Sequence, residues 1–300
     1  PALEPLADTL LADMEPRRAS LSLPSLRIDS VSLGLLDRAS RVRKSGLTFA
    51  PEAGTQRLRD VINKGVTEED LVRAMGQAFA GGWNGVKLYF MLGLPEETDD
   101  DVAGIARLAR AVETQYRSLP RETRKRPLSL TVSTSVFVPK PHTPFQWEPQ
   151  IPLAAMKEKQ RTLRGLLQGK SLSYQWHEPA TSFWEAVLSR GDRRLWPVIR
   201  DAFEAGCLFD SWDDRFRLET WLAAMERHGL DPAFYANRVR DPGEVFPWDH
   251  LDMGVDKSFL LEENRRAHAG VLTPECRTAC SACGAACFGA GVCVGEEAAG

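Results

Sequence analysis

Five cysteines lie close together near the end of the sequence: Cys276, Cys280, Cys283, Cys287 and Cys293. Only Cys207 stands apart from them. A small secreted fold spreads its cysteines to make disulfides. Clustering at short spacings points instead to a metal. Thiolates brought together on a tight loop suit either tetrahedral zinc or an iron–sulfur cluster, because both take soft sulfur ligands. Ala279, Ala282, Gly284, Ala285 and Ala286 leave room for backbone to wrap an ion. Cys276, Cys280, Cys283 and Cys287 are expected to converge on one centre, with Cys293 a spare ligand or none. The spacing does not choose between the metals, and free thiols in a loose tail are the third alternative.

A second set of candidates follows strand-like segments, where parallel α/β folds collect their chemistry. After LTFA come Pro51, Glu52, Ala53, Gly54, Thr55 and Gln56, then Arg57, Arg59 and Lys64. Glu52 could accept hydrogen bonds from ribose hydroxyls or an amino group, and a nearby arginine could hold a carboxylate. Equally, Glu52 and Gln56 could serve only the first turn of the next helix. MLGLPEET follows the next segment: Gly93 permits close approach to a ligand, Pro95 stiffens the exit, and Glu96, Glu97 and Thr98 lead into a helix. The third loop is VPKPHTPFQW, in which Pro139, Pro141 and Pro144 stiffen a stretch bearing Lys140, His142, Phe145 and Trp147. A lone histidine there is more often structural than catalytic.

The elements that must position these residues alternate. Strand-like runs are SLPSLRI (22–28), LTFA (47–50), VKLYFML (86–92) and LSLTVSTSVFV (128–138). The third is a near-continuous apolar run, the pattern of a strand covered on both faces. Thr67 opens a helix with Asp70 at its third position, as in a capping box, and Thr98 caps another. The opening PALEPLADTLLADM reads as a helix with Leu3, Leu6, Leu10 and Leu11 on one stripe. Strand–helix alternation implies a parallel sheet, and periodicity leaves an open doubly wound sheet and a partial β/α barrel equally possible. Beyond Pro152 the texture becomes helical, and Trp176, Trp184, Trp196, Trp212, Trp221 and Trp248 read as the core of a small helical domain. The expected division is 1–150, an α/β unit; 151–270, a helical extension; and 271–300, a cysteine-rich metal-binding tail.

The 300 residues are 43% apolar and 26% charged, ordinary for a globular chain. A net charge of −3 supplies no field that would draw the whole chain to nucleic acid or an anionic membrane. No apolar run approaches the roughly 20 residues that span a bilayer, and no signal peptide is visible. A cytoplasmic location without membrane partner is expected. A start at Pro1 inside an amphipathic helix suggests a fragment or a processed chain.

Together the segments SLPSLRIDS, SGLTFAPEAGTQRLRDVINKG, GVKLYFMLGLPEET, FVPKPHTPFQW, EAVLSRGDRR, FDSW, PWDHLD and CRTACSACG resemble the radical S-adenosylmethionine (radical SAM) superfamily. The likeness is to a bacterial family carrying a cobalamin-binding-type domain ahead of its barrel, and it runs from about Ser22 to Cys287. It implies the later part of a radical SAM partial (β/α) barrel, with the first strands missing. Such enzymes bind a 4Fe–4S cluster through a C-x3-C-x2-C loop after the first strand, and the cluster reductively cleaves S-adenosylmethionine to a hydrogen-abstracting 5′-deoxyadenosyl radical. By position, Glu52, with Gln56 and Arg59 beside it, resembles the cofactor contact after the fourth barrel strand. Gly93, Pro95 and Glu96 resemble the adenine-supporting motif, and Val138 with Pro139 the contact after the last strand. Cys276, Cys280 and Cys283 share the C-x3-C-x2-C spacing but lie far downstream. Their expected role is therefore an auxiliary iron–sulfur or zinc site, with iron favoured by the resemblance. The catalytic cluster, and any cobalamin, would belong to a missing N-terminal portion of the same protein, and the substrate is not indicated. The rival reading is a non-catalytic RNA- or protein-binding module with a structural zinc site. The basic run RETRKR (121–126) reads as a solvated face and does not indicate nucleic acid.

Overall fold

The structure is a computed structural model describing residues 3–19, 46–212, 214–276 and 278–285. The strand expected at 22–28, and Cys287 and Cys293, lie outside the described residues. Four strands form one sheet: β1 (Leu47–Glu52), β2 (Gly85–Leu92), β3 (Ser129–Val136) and β4 (Leu172–Trp176). Their order is β1-β2-β3-β4 and every neighbouring pair is parallel. Parallel neighbours need crossovers, supplied by α2 (Gln56–Val61) with α3 (Glu68–Ala80), by α4 (Asp99–Ser118) and by α5 (Leu153–Leu166). The sheet takes its fourth strand from beyond residue 150, inside a stretch whose sequence reads as helical. β4 is a short edge strand with most of its residues exposed, so it carries little hydrophobic patterning.

Helices α3 and α4 begin on capping boxes. Thr67 and Thr98 each accept from the third helical amide, while Asp70 and Asp101 return a bond to the cap amide. These reciprocal bonds satisfy donors that every helix start leaves open. Leu71, Met75, Ala78 and Phe79 of α3, Ile105, Leu108, Ala109 and Val112 of α4, and Leu163 of α5 share one core with Phe49, Val86, Leu88, Phe90, Leu130 and Val132. These strand residues alternate, so they occupy one face of the sheet. All three crossovers therefore pack on that face, which is the arrangement of a singly wound β/α sheet. The other face carries Thr48, Lys87, Tyr89, Met91, Thr131 and Ser135, which are half-buried, and Ser133, which is buried. The expectation that β2 is fully covered on both sides is corrected: only Val86, Leu88, Phe90 and Leu92 are fully buried.

After β4 come α6 (Pro179–Ser189), α7 (Trp196–Glu204), α8 (Leu218–Arg227), α9 (Pro232–Ala236) and α10 (Lys257–His268). Residues of α6 to α9 build a second core with Val136 and Met156, in which the Trp184 and Trp221 rings lie 4.9 Å apart. The tryptophan expectation holds for half its members. Trp184, Trp221 and Trp248 are buried, while Trp176, Trp196 and Trp212 are exposed. The N-terminal helix forms as α1 (Leu3–Met14), but Ala7 and Leu11 are its buried residues and Leu6 and Leu10 are exposed. Among the described residues, no helix is long and apolar enough to cross a membrane.

Candidate functional site

The C-terminal ends of β1, β2 and β3 share an unusual backbone feature. Glu52, Glu96 and His142 are non-glycine residues in the left-handed region, with φ of 68°, 63° and 55°. That conformation disfavours any residue with a Cβ and persists only where surrounding structure imposes it. At β1 the imposing feature is a bulge. Pairing runs Phe49 to Leu88 and then Glu52 to Phe90, so three residues on β1 match two on β2. Pro51 sits in the bulge, where its missing N–H costs no ladder bond. The bulge re-aims Glu52, whose carboxylate is paired with Lys64 at 3.2 Å and keeps some exposure.

Two buried carboxylates tie the loops together. Asp101 is almost fully enclosed and accepts from Thr55 Oγ1, from the Arg57 guanidinium, from Thr98 Oγ1 at 2.7 Å and from the Thr98 amide at 2.8 Å. Burial alone would raise its pKa, but the hydroxyls of Thr55 and Thr98, the Thr98 amide and Arg57 outweigh it and hold the acid at about 2. The loop after β1 thereby fastens to the start of α4. The approach is close enough that a Cβ on Gly54 would overlap the Asp101 carbonyl and the Ile105 amide, and one on Gly104 would lie 2.8 Å from the Gly54 carbonyl oxygen. Glu97 accepts from the Gly93 amide at 3.0 Å and from Lys159 at 2.9 Å. Its burial raises its pKa despite Lys159.

Helix α10 crosses these strand ends. Ala267 packs with Ala53, Leu58, Leu94 and Phe137. His268, the last residue of α10, donates or accepts through both ring nitrogens: Nδ1 lies 2.7 Å from Glu96 Oε1 and Nε2 lies 2.8 Å from Glu148 Oε1. Asn264 donates to the same Glu148 oxygen at 2.8 Å. Burial tends to lower the imidazole pKa, but the bonds to Glu148 and then Glu96 overcome it and raise it above 6.5. An imidazole held between two carboxylates thus fastens the C-terminal helix to the loops after β2 and β3. Glu148 and His268 lie 120 residues apart, so no local spacing announces them.

The sequence-derived candidates fall as follows. Glu52 and Glu96 both sit at strand ends, Glu52 facing Lys64 and Glu96 facing His268. Gln56 is exposed; its Nε2 donates to Asp60 at 2.7 Å and its Oε1 accepts from Arg59. Arg59 is buried and donates to the Ala53 carbonyl at 3.0 Å, and desolvation lowers its pKa. Gly93 has φ of 80°, and a Cβ there would lie 2.7 Å from Ile151 Cδ1. Pro95 is half-buried beside it and Pro139 is buried. Val138 packs against the second core. His142 Nε2 is buried with no hydrogen-bond partner among the described residues. Gln146, which bonds the His142 amide at 3.2 Å and the Trp248 indole at 2.8 Å, holds that loop.

Cys276 and Cys280 are exposed, Cys283 is partly exposed and all three are free thiols. Among the described residues, no three histidine, cysteine or acidic side chains gather in a group that could hold a metal. The described cysteines thus do not by themselves fit a metal centre, and Cys287 lies outside them.

No family model matches the chain. An uncharacterised protein of Methanocaldococcus jannaschii is 32% identical to it over 211 residues, which is 70% of this chain and 44% of that protein. The chain therefore spans less than half the length of the curated relative it matches.

Proposed function

We propose that the chain is the later part of a radical SAM-type barrel, and that the loops after β1 to β3 bind S-adenosylmethionine. The observation that carries the reading is the singly wound sheet. Its strands run in order without reversal, its crossovers share one face, and its second face is mostly polar and mostly half-buried. A doubly wound fold reverses its strand order and covers both faces with helices, whereas a barrel segment does neither. Strained residues with polar side chains, in the loops that follow three adjacent strands, agree with a site at the barrel mouth.

Glu52 fits a cofactor contact best. Its carboxylate is accessible, the bulge fixes its direction, and its Lys64 partner occupies a position that a ligand ammonium could take. Gly93 shapes the adjacent loop but its amide already serves Glu97, so its part is steric. Glu96, tied to His268, holds α10 over the mouth. When bound beside a reduced 4Fe–4S cluster, S-adenosylmethionine would supply hydrogen-atom abstraction. The reading places the cluster-binding loop outside these 300 residues, and no step is derived through it. The test is S-adenosylmethionine binding to the full-length protein by calorimetry, with Glu52→Ala beside it. Loss of a carboxylate hydrogen bond of about 1.5–3 kcal/mol predicts at least about a tenfold fall in affinity with the melt unchanged. Equal affinity with a lowered melt would assign Glu52 to the fold alone.

A further inference from the structure

A second candidate site lies on the outer, helix-covered side of the sheet. Lys157, Gln160, Arg161 and Arg164 of α5, with Trp176, Glu178 and Pro179 at the end of β4, line a cavity of about 260 Å³. Lys157, Arg161 and Arg164 follow helical spacing, so they form one row, and all three are exposed. Among the described residues, none of the three has a carboxylate within salt-bridge distance, although ion pairs are common elsewhere and Lys159 on the same helix is paired with Glu97. Glu178 is the one acid in the lining, against three cations. Trp176 is 37% exposed, and the Arg164 guanidinium lies over its ring at 5.1 Å from the centroid. Tyr174 braces the indole at a centroid distance of 5.2 Å. Gln160, buried under the row, donates to the His177 carbonyl at 3.0 Å and fixes the strand end to the helix.

Unpaired cations spaced along a groove, beside an accessible indole, have the chemistry of a strand-binding surface. The cations match successive phosphates, and the ring offers a stacking face that accepts any base. A small anion would need no indole, and an acidic peptide would gain little from a stacking face. We propose that this groove binds single-stranded nucleic acid, with a base on Trp176 and phosphates on Lys157, Arg161 and Arg164. An incoming base takes the place of the Arg164 guanidinium on the indole and releases it to the adjacent phosphate. The net charge of −3 is no obstacle, because the field that matters is confined to this row.

The test is fluorescence anisotropy of the 300-residue chain with a labelled single-stranded RNA, with AMP as competitor. Three phosphate contacts predict a slope of log affinity against log salt of about −2. The double variant Lys157→Gln/Arg161→Gln should flatten that slope, and Trp176→Ala should weaken binding by about tenfold or more. Trp176→Phe keeps a stacking face and should stay within a few-fold of the parent, and circular dichroism checks that each variant folds. If Trp176→Ala unfolds, the exposed Lys157 and Arg161 variants still decide the matter. No binding at low salt, or binding that all variants leave intact, overturns the proposal. So does AMP competing on the same residues as tightly as the strand, which would make this a mononucleotide site.

Discussion

Replacing His268 by glutamine removes the imidazole that joins α10 to the loops after β2 and β3. The imidazole contacts Glu148, which is 14% exposed, and Glu96, which is 46% exposed. The ring itself is 38% exposed, so both contacts are discounted for solvent screening to about 0.5 kcal/mol each. The sum is about 1 kcal/mol when the ring is protonated. The neighbouring groups are Glu96, Glu148 and Asn264, with Arg57 on the Glu96 carbonyl. Because the folded pKa of His268 is raised above 6.5, this stabilisation is fully present below 6.5 and is lost as pH rises through the folded value. Urea unfolding of parent and His268→Gln should therefore differ most near pH 5.5, with the gap narrowing by half or more toward pH 9. Hydrogen exchange should place the added opening in α10 and leave β2 and β3 protected. A gap independent of pH, or one that widens as pH rises, would refute the cationic clasp.

Asp101→Asn should destabilise the chain by roughly 2 kcal/mol at neutral pH, the cost of a carboxylate moved from 3.8 to about 2. The carboxylate's contribution should be present above pH 3.8 and vanish as pH falls through about 2, as read by acid titration of the unfolding midpoint. Gly54→Ala forces a methyl group into the backbone of α4 and should cost about 2 kcal/mol or more in denaturant unfolding, whereas Gly165→Ala, with open space around it, should not.

Where side chains pattern locally, the sequence was a good guide. The Thr67–Asp70 box and the Thr98 cap are readable from residues three apart, and both helices start there. VKLYFML and LSLTVSTSVFV announce β2 and β3 because central strands bury alternate residues deeply. β4 escaped because an exposed edge strand of polar and aromatic residues looks like its helical surroundings. At the site, Glu52 and Glu96 could be found from their place after strands. The Thr55 and Arg57 bonds to Asp101, the Glu97–Lys159 pair and the Glu96–His268–Glu148 clasp could not, because these partners lie 44 to 172 residues apart. The left-handed backbone at Glu52 and Glu96 was likewise hidden, since neither carries the glycine that usually marks it.

We propose that the loops at the ends of β1 to β3 belong to a radical SAM enzyme. This is tested most directly by reconstituting the full-length protein anaerobically with iron and sulfide, adding a strong reductant and S-adenosylmethionine, and measuring 5′-deoxyadenosine. Cleavage is expected from the full-length protein and none from the 300-residue chain alone. A full-length protein with an intact cluster that releases no 5′-deoxyadenosine, or cleavage by this chain alone, would contradict it.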